Sequence, residues 1–114
     1  MIITISSKNN EKSFSKKELI NIGSNNGCDF VADIGSDFIL TLQCDLQNKK
    51  CVVLNNFNNQ KILFKGQPMG QKIEFDNVCK LMSADNDEFI SIKISEEVVQ
   101  EQVYEQNAIE QKKI

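Results

Sequence analysis

Alternation of apolar and polar residues with a period of two is the feature that most constrains how this chain folds. In "DFILTLQCDLQ" the residues that share one apolar face are Phe38, Leu40, Leu42, Cys44 and Leu46. The same pattern returns in "EFISIKI", and it recurs more briefly in Ile3 with Ile5, Ile20 with Ile22, and Cys51 with Val53. Because successive side chains of an extended strand point to opposite faces, these stretches predict half-buried β-strands.

Turn-forming residues separate the alternating stretches. "SSKNNEK" is predicted to join the first two strands, "GSNNG" the second and third, and "DIGSD" the third and fourth, while "QNKK" closes a tight hairpin. Gly66, Pro68 and Gly70 punctuate a further hairpin. Helical periodicity of useful length is absent before residue 95. The sequence therefore predicts an all-β fold over residues 1–94, a β-sandwich of short, mainly antiparallel strands.

The last twenty residues, 95–114, differ from this pattern. They contain no glycine or proline, and Ser95 followed by two glutamates resembles a helix start. Five glutamates and two lysines give this segment a charge of −3, so the remaining 11 lysines and 11 acids cancel. We predict an acidic C-terminal helix or a flexible tail. As a helix, this segment would carry a loose apolar stripe that contains Val99, Val103 and Ile109. Three alternatives are open: the stripe docks on the domain, it pairs with a partner helix, or it has no partner.

Composition excludes several classes of function. All 13 basic residues are lysine and the net charge is −3, which argues against a nucleic-acid partner because such surfaces need clustered positive charge. The chain has no run of about 18 apolar residues, and residues 1–10 lack the features of a signal peptide. We therefore expect a cytoplasmic protein without direct membrane insertion.

The residues that most enzymes and metal sites use are scarce. The chain has no histidine, which excludes Ser-His and Cys-His nucleophile pairs. Its four cysteines show no Cys-x-x-Cys spacing, so we read them as small core residues rather than as zinc ligands. A metal or acid–base site built on Asp29, Asp33 and Asp37 is the alternative, although acidic residues at turns are most often solvated. We expect no enzymatic activity, no metal and no cofactor.

Three stretches, taken in order, resemble the forkhead-associated (FHA) domain. "ELINIGSNNGCDFVAD" is similar to the strand, Gly-Arg turn and next strand of that family, with Gly23 in the glycine position. "VVLNNFNNQKILFKGQPM" resembles its later Asn-Gly-Thr region, with Lys65 and Gly66 at the final Asn-Gly. "IEFDNVCKLMS" resembles the strand that carries Gly-Asp before an apolar run, with Asp76 and Asn77 at the turn. The resemblance implies an eleven-stranded sandwich whose loops at one end bind phosphothreonine peptides.

The residues that would form the phosphothreonine pocket depart from the family pattern. Ser24 stands where the family has arginine, and the chain contains no arginine. The Asn-Gly-Thr element falls on Gln60, Lys61 and Ile62, and the Ser-x-x-His element has only Thr41 as a hydroxyl. Losing the charged, planar arginine alone weakens phosphopeptide binding by about ten- to a hundredfold. The resemblance therefore implies a degenerate member of the family.

Three interpretations of "GSNNG" remain open. It is a plain hairpin turn, or an anion nest of Ser24, Asn25 and Asn26 with charge from Lys61, or a surface that binds an unphosphorylated protein through neutral hydrogen bonds. We expect an interaction or scaffold module, similar to cytoplasmic pieces of bacterial secretion or signalling assemblies. A phosphothreonine reader with an arginine-free pocket is the alternative. The candidate peptide-binding residues are Ser24, Asn25, Asn26, Thr41, Asn59, Gln60 and Lys61.

Overall fold

Two β-sheets form the protein. A computed structural model describes residues 1–35, 37–84 and 88–96, where eleven strands are found. The first sheet has the spatial order β2 (Glu11–Ser15), β1 (Ile2–Ser7), β11 (Phe89–Ser95), β10 (Val78–Ser83), β7 (Ile62–Phe64) and β8 (Gln67–Pro68). The second has the order β4 (Phe30–Val31), β3 (Leu19–Gly23), β5 (Ile39–Asp45), β6 (Lys50–Asn55) and β9 (Lys72–Phe75). The predicted all-β sandwich is confirmed.

The alternating stretches supply the core. Leu40, Leu42 and Cys44 point inward from β5, and Phe38 just before the strand is fully buried. Leu46, which the alternation placed on the same face, lies in the turn after β5 and is partly buried against the core. From the first sheet, Ile3 and Ile5 of β1 and the three isoleucines of β11 are buried against the second sheet, so one apolar cluster spans both layers.

The alternation pattern did not predict the edge strand β2. Residues predicted as the connection between the first two strands include Glu11 and Lys12, which instead begin β2 and pair with β1. Phe14 is the one buried residue of this strand, and it lies opposite Ile3. A single inward residue among five leaves no visible alternation, because the other four side chains of this edge strand are exposed.

The interpretation of "GSNNG" as a hairpin turn is wrong. Strands β3 and β4 run parallel, with Ile22 opposite Phe30. Within the connecting loop, the side-chain oxygen of Asn25 accepts a hydrogen bond from the amide of Gly27 at 2.8 Å, and its carbonyl accepts one from the amide of Cys28 at 3.0 Å. These bonds fold the loop onto itself, so the chain resumes its direction instead of reversing.

Two other predicted hairpins are confirmed. "QNKK" joins the antiparallel strands β5 and β6, and the carboxylate of Asp45 accepts hydrogen bonds from the amides of Gln47 and Asn48. Between β7 and β8, Lys65 and Gly66 have φ of 54° and 84°, the pair of positive values that a two-residue type I′ turn requires. Pro68 lies in β8, at the edge of its sheet, where no neighbouring strand needs its missing N–H.

The end of the sandwich lies one residue beyond its predicted boundary. Ser95, predicted to start a helix, is the last residue of β11 and lies opposite Ile2. The rest of the predicted helix, including Val99, Val103 and Ile109, lies outside the described residues. Within the described ranges, no helix is long and apolar enough to cross a membrane.

Candidate functional site

Gly23 brings two chain segments together at one end of the sandwich. A Cβ atom at this position would lie 2.6 Å from the carbonyl oxygen of Phe38 and 2.9 Å from Sγ of Cys28. Both distances are shorter than any van der Waals contact, so only glycine fits here. The close approach sets Ser24, the next residue, beside the segment that leads into β5.

Ser24 makes two hydrogen bonds to Phe38 in that segment. Its amide donates to the carbonyl of Phe38 at 3.2 Å, and its Oγ accepts from the amide of Phe38 at 3.3 Å. The same hydroxyl lies 3.5 Å from a carboxylate oxygen of Asp37. Ser24, which the sequence resemblance aligns with the family's arginine, thus bonds within its own end of the sandwich and lies beside a carboxylate.

Asn55, which sequence reasoning did not single out, organises the loop of residues 56–61. Its side chain is 6% exposed. The amide nitrogen donates to the carbonyls of Asn59 and Gly70 at 3.1 and 3.2 Å, and the oxygen accepts from the amide of Asn59 at 3.1 Å. The sequence pattern could have identified Asn55. It follows Cys51 and Val53 at a spacing of two, which places its side chain on the core-facing side of the strand.

Asn59 connects the loop of residues 56–61 to the segment before β5. Its side-chain nitrogen donates to the carbonyl of Asp37 at 2.9 Å, and its side-chain oxygen accepts from the amide of Lys61 at 2.8 Å. A side-chain amide used in this way holds two loops at a fixed separation. Three loops from different parts of the chain therefore meet at this end of the sandwich.

A shallow opening lies between these loops, and we call it the loop-end cavity. It has a volume of about 270 Å³ and is lined by Ser24, Asn25, Asp37, Ile39 and Phe57. The ring of Phe57 is exposed, with 57% of the residue's surface accessible. Among these lining residues, the carboxylate of Asp37 carries the charge. The cavity therefore offers a hydroxyl, an amide, an aromatic ring and a negative charge.

The seven candidate residues divide between the cavity and its surroundings. Ser24 and Asn25 line the cavity, while Asn59 lies outside the described lining and donates a hydrogen bond to the carbonyl of the lining residue Asp37. Gln60 turns back to donate to the carbonyl of Asn58 at 3.1 Å, and the carbonyl of Lys61 accepts from the amide of Ala84 at 2.8 Å. Asn26 and Lys61 are exposed without being part of the described lining.

Thr41 belongs to a separate polar ladder on the outer face of the second sheet. Its hydroxyl donates to the side-chain oxygen of Asn21 at 3.0 Å and accepts from the side-chain nitrogen of Asn56 at 2.6 Å. Thr41 is therefore placed on β5 outside the described lining of the loop-end cavity.

The three aspartates considered as a metal site have separate roles. Asp29 accepts from the amide of Asn21 at 2.9 Å and lies 3.7 Å from the Lys17 nitrogen. Asp33 accepts from the amide of Gly35 at 2.9 Å. Asp37 lies at the loop-end cavity. In the part of the chain that the structure describes, no group of three or more metal-ligating side chains is gathered in one place.

Comparison with solved structures decides the fold. The FHA-1 domain of Mycobacterium tuberculosis Rv1747 superposes with a TM-score of 0.64, covering 83% of this chain and 97% of that chain at 11% identity. This chain has the FHA fold. The FHA domain of yeast Dun1, solved with a doubly phosphorylated peptide derived from Rad53, superposes with a TM-score of 0.54 at 14% identity, covering 97% of this chain and 88% of that one.

The likeness lies in structure rather than in sequence. No protein-family model matches the chain, and no curated protein matches it either. The resemblance to FHA domains is confirmed at the level of the fold. The loop-end cavity lies on this FHA fold with serine and aspartate side by side, and no arginine is present in the chain.

Proposed function

We propose that this chain is a non-enzymatic protein-interaction module, which binds an unphosphorylated segment of a partner protein at the loop-end cavity. The observation that carries the proposal is the position of Asp37. Its carboxylate lies 3.5 Å from the hydroxyl of Ser24, the residue at the family's arginine position. A carboxylate beside the residue that the resemblance aligns with the phosphate-binding arginine supports a partner segment without phosphate.

Electrostatics favours an unphosphorylated partner. Two like unit charges about 4 Å apart repel by about 1 kcal/mol in water, and a phosphothreonine carries a charge of about −1.5 to −2. The described lining of the cavity contains no lysine to offset this repulsion. The proton of the Ser24 hydroxyl is directed toward Asp37 and the oxygen accepts from the amide of Phe38, so this proton is not directed toward a phosphate.

The other lining residues favour a partner with an apolar anchor. Phe57 presents an exposed ring, and Ile39 beside it is partly exposed. Aromatic anchors of this kind supply much of the binding energy in protein interfaces. We expect the partner segment to place an apolar side chain against Phe57 and a lysine or arginine opposite Asp37. Asn25 offers neutral hydrogen bonds to its backbone.

A phosphothreonine reader remains the second candidate, because the Dun1 domain was solved with a phosphorylated peptide. On that interpretation Ser24, Asn26, Thr41, Gln60 and Lys61 would bind phosphate without arginine. The placement of Thr41 in the ladder with Asn21 and Asn56 does not favour it. A role in a cytoplasmic bacterial secretion or signalling assembly stays a prediction.

The test is a backbone NMR titration with three degenerate peptide pools. The first contains an unphosphorylated threonine and a fixed lysine, the second has glutamate in place of the lysine, and the third carries phosphothreonine in the first pool's sequence. We expect the first pool to shift the amides of Ser24, Asn25, Ile39 and Phe57 most strongly. Larger shifts with the phosphorylated pool would support the phosphothreonine reader instead.

Two variants distinguish binding at the loop-end cavity from nonspecific binding to exposed apolar side chains. Phe57→Ala should abolish the shifts caused by the first pool, while Leu19→Ala should leave them unchanged. Leu19 is a matched control because it is 56% exposed, close to the 57% of Phe57, and lies at the other end of β3 from Gly23. Equal losses in both variants would contradict binding at the loop-end cavity.

A further inference from the structure

Cys44 on β5 and Cys51 on β6 lie directly opposite each other. The amide of Cys44 donates to the carbonyl of Glu18, on the side of β3, at 2.8 Å. Its backbone groups therefore point away from β6, which makes Cys44 and Cys51 a non-hydrogen-bonded pair. In such pairs the Cα atoms are about 4.5 Å apart and the side chains approach most closely.

This spacing suits a covalent bond between the two sulfur atoms. Disulfides usually join residues whose Cα atoms are about 4.4–6.8 Å apart. Both side chains are buried on the core-facing side of the second sheet, so the two sulfurs lie on the same face of neighbouring strands. Both cysteines are in the free thiol form.

The two thiols differ in access and in acidity. Cys44 is 8% exposed and belongs to the lining of an open surface cavity of about 300 Å³, whereas Cys51 is 1% exposed. The hydrogen bond from Cys51 lowers the pKa of Cys44, and burial works against this effect. The interaction with Cys44 and burial both raise the pKa of Cys51. Cys44 is therefore the thiol nearer to solvent, and the lowered direction of its pKa favours the thiolate.

We propose that Cys44 and Cys51 are a site of reversible oxidation, at which a small peroxide converts the two thiols into a cross-strand disulfide. The Cys44 thiolate attacks one oxygen of hydrogen peroxide, and the O–O bond breaks. Cys44 becomes a sulfenic acid, and the hydroxide that leaves takes up a proton to become water. The sulfur of Cys51 then attacks the Cys44 sulfur, the S–O bond breaks, and a second water leaves. Two thiols are oxidised and one peroxide is reduced.

The other two cysteines lack this arrangement. Cys79 lies on β10 in the opposite sheet, across from Ile92, and burial raises its pKa to about 11. Cys28 lies beside Gly23 in the loop after β3 and is half-buried. Neither residue has a cysteine as its cross-strand neighbour in the described sheets. These two thiols are internal controls for the proposed reaction.

The chain is well suited to a test by peptide mapping. Lys49 and Lys50 lie between the two cysteines, so cleavage after lysine separates Cys44 in residues 18–49 from Cys51 in residues 51–61. Cys28 shares the first peptide, and the variant Cys28→Ser removes that ambiguity. The folded Cys28→Ser protein is treated with a slight molar excess of hydrogen peroxide, blocked with an alkylating reagent, digested and analysed by mass spectrometry.

We expect the two peptides to be joined in a monomer that has lost two hydrogen atoms, and to separate again after reduction. Peptides that stay separate, whether alkylated or oxidised to sulfinic acid, would overturn the proposal, as would a link to Cys79. In Cys28→Ser/Cys51→Ser protein, the sulfenic acid on Cys44 should be trapped by a dicarbonyl reagent. If that variant does not fold, mapping of the Cys28→Ser protein still decides the question.

Discussion

The side-chain nitrogen of Asn59 donates a 2.9 Å hydrogen bond to the backbone carbonyl of Asp37. This bond joins two loops that are 22 residues apart in sequence, and it fixes where the Asp37 carboxylate lies relative to Phe57. The loop-end cavity therefore depends on a residue that is absent from its own described lining. Asn59 lies on the same loop as Phe57, so its bond to Asp37 connects two sides of the cavity.

Asn59→Ala should loosen both loops. The variant loses the bond to Asp37 and the bond from the amide of Lys61, and we expect the free energy of unfolding to fall by about 1–3 kcal/mol. Urea unfolding measures this change. Asn26→Ala, in an exposed loop position, is the matched control and should change stability by less than about 0.5 kcal/mol. A loss as large in the control would show that loop asparagines stabilise the fold without regard to these bonds.

Gly23→Ala should be more harmful than Gly27→Ala. The new methyl group at residue 23 would meet the Phe38 carbonyl at 2.6 Å, so the backbone must shift, at a cost of about 1–3 kcal/mol or more. At residue 27 the nearest atom is a side-chain oxygen of Asn25 at 3.3 Å, which a small movement relieves. Thermal unfolding of the two variants side by side tests this order, and similar melting temperatures would contradict it.

Much of the fold was predictable from the sequence because one face of most strands is buried. The alternation in β5 and β11 identified the core directly, and free energy from apolar burial enforces such a pattern. Strand β2 and the parallel pairing of β3 with β4 were not predictable. An edge strand with one inward residue carries no alternation, and the direction of β4 depends on the local hydrogen bonds of Asn25.

The site was less predictable than the fold. The resemblance located Ser24 and the loop of residues 56–61, yet it gave no reason to expect the carboxylate of Asp37 beside Ser24. That contact arises from the close approach at Gly23, which joins residues distant in sequence. Ser24 and Asn25 were peptide-binding candidates and line the cavity, whereas Phe57 was not singled out and Asp37 was considered only for a metal or acid–base site.

Asn55→Ala should destabilise the protein more than any exposed asparagine does. The substitution removes three partly buried hydrogen bonds, one from the amide of Asn59 and two to the carbonyls of Asn59 and Gly70. At about 0.5–1.5 kcal/mol for each bond, we expect a total loss of about 2–4 kcal/mol. The urea midpoint should fall accordingly, and Asn56→Ala on the outer face is the control. A loss below 1 kcal/mol would mean that water replaces the side chain.

Lys65→Asn should stabilise the β7–β8 hairpin. Lys65 has φ of 54°, a left-handed conformation that a lysine side chain disfavours and asparagine tolerates. The substitution creates an Asn-Gly pair, the preferred type I′ turn, and we expect a gain of about 0.5–1 kcal/mol. Urea unfolding with an unchanged m-value would show it. Lys72→Asn, in a strand, should give no gain, and equal gains in both variants would point to charge rather than to backbone conformation.

The turn between β5 and β6 should respond to acid. The side-chain amide of Asn48, followed by its backbone amide, lowers the pKa of Asp45 below its usual value. Because the folded-state pKa is the lower one, the stabilisation is present above the ordinary aspartate pKa and is lost as pH falls through the lowered value. An NMR titration of the Asp45 carboxyl carbon should give a midpoint below the ordinary one. In Asn48→Ala the midpoint should rise toward the ordinary value, and an unchanged midpoint would contradict the role of Asn48.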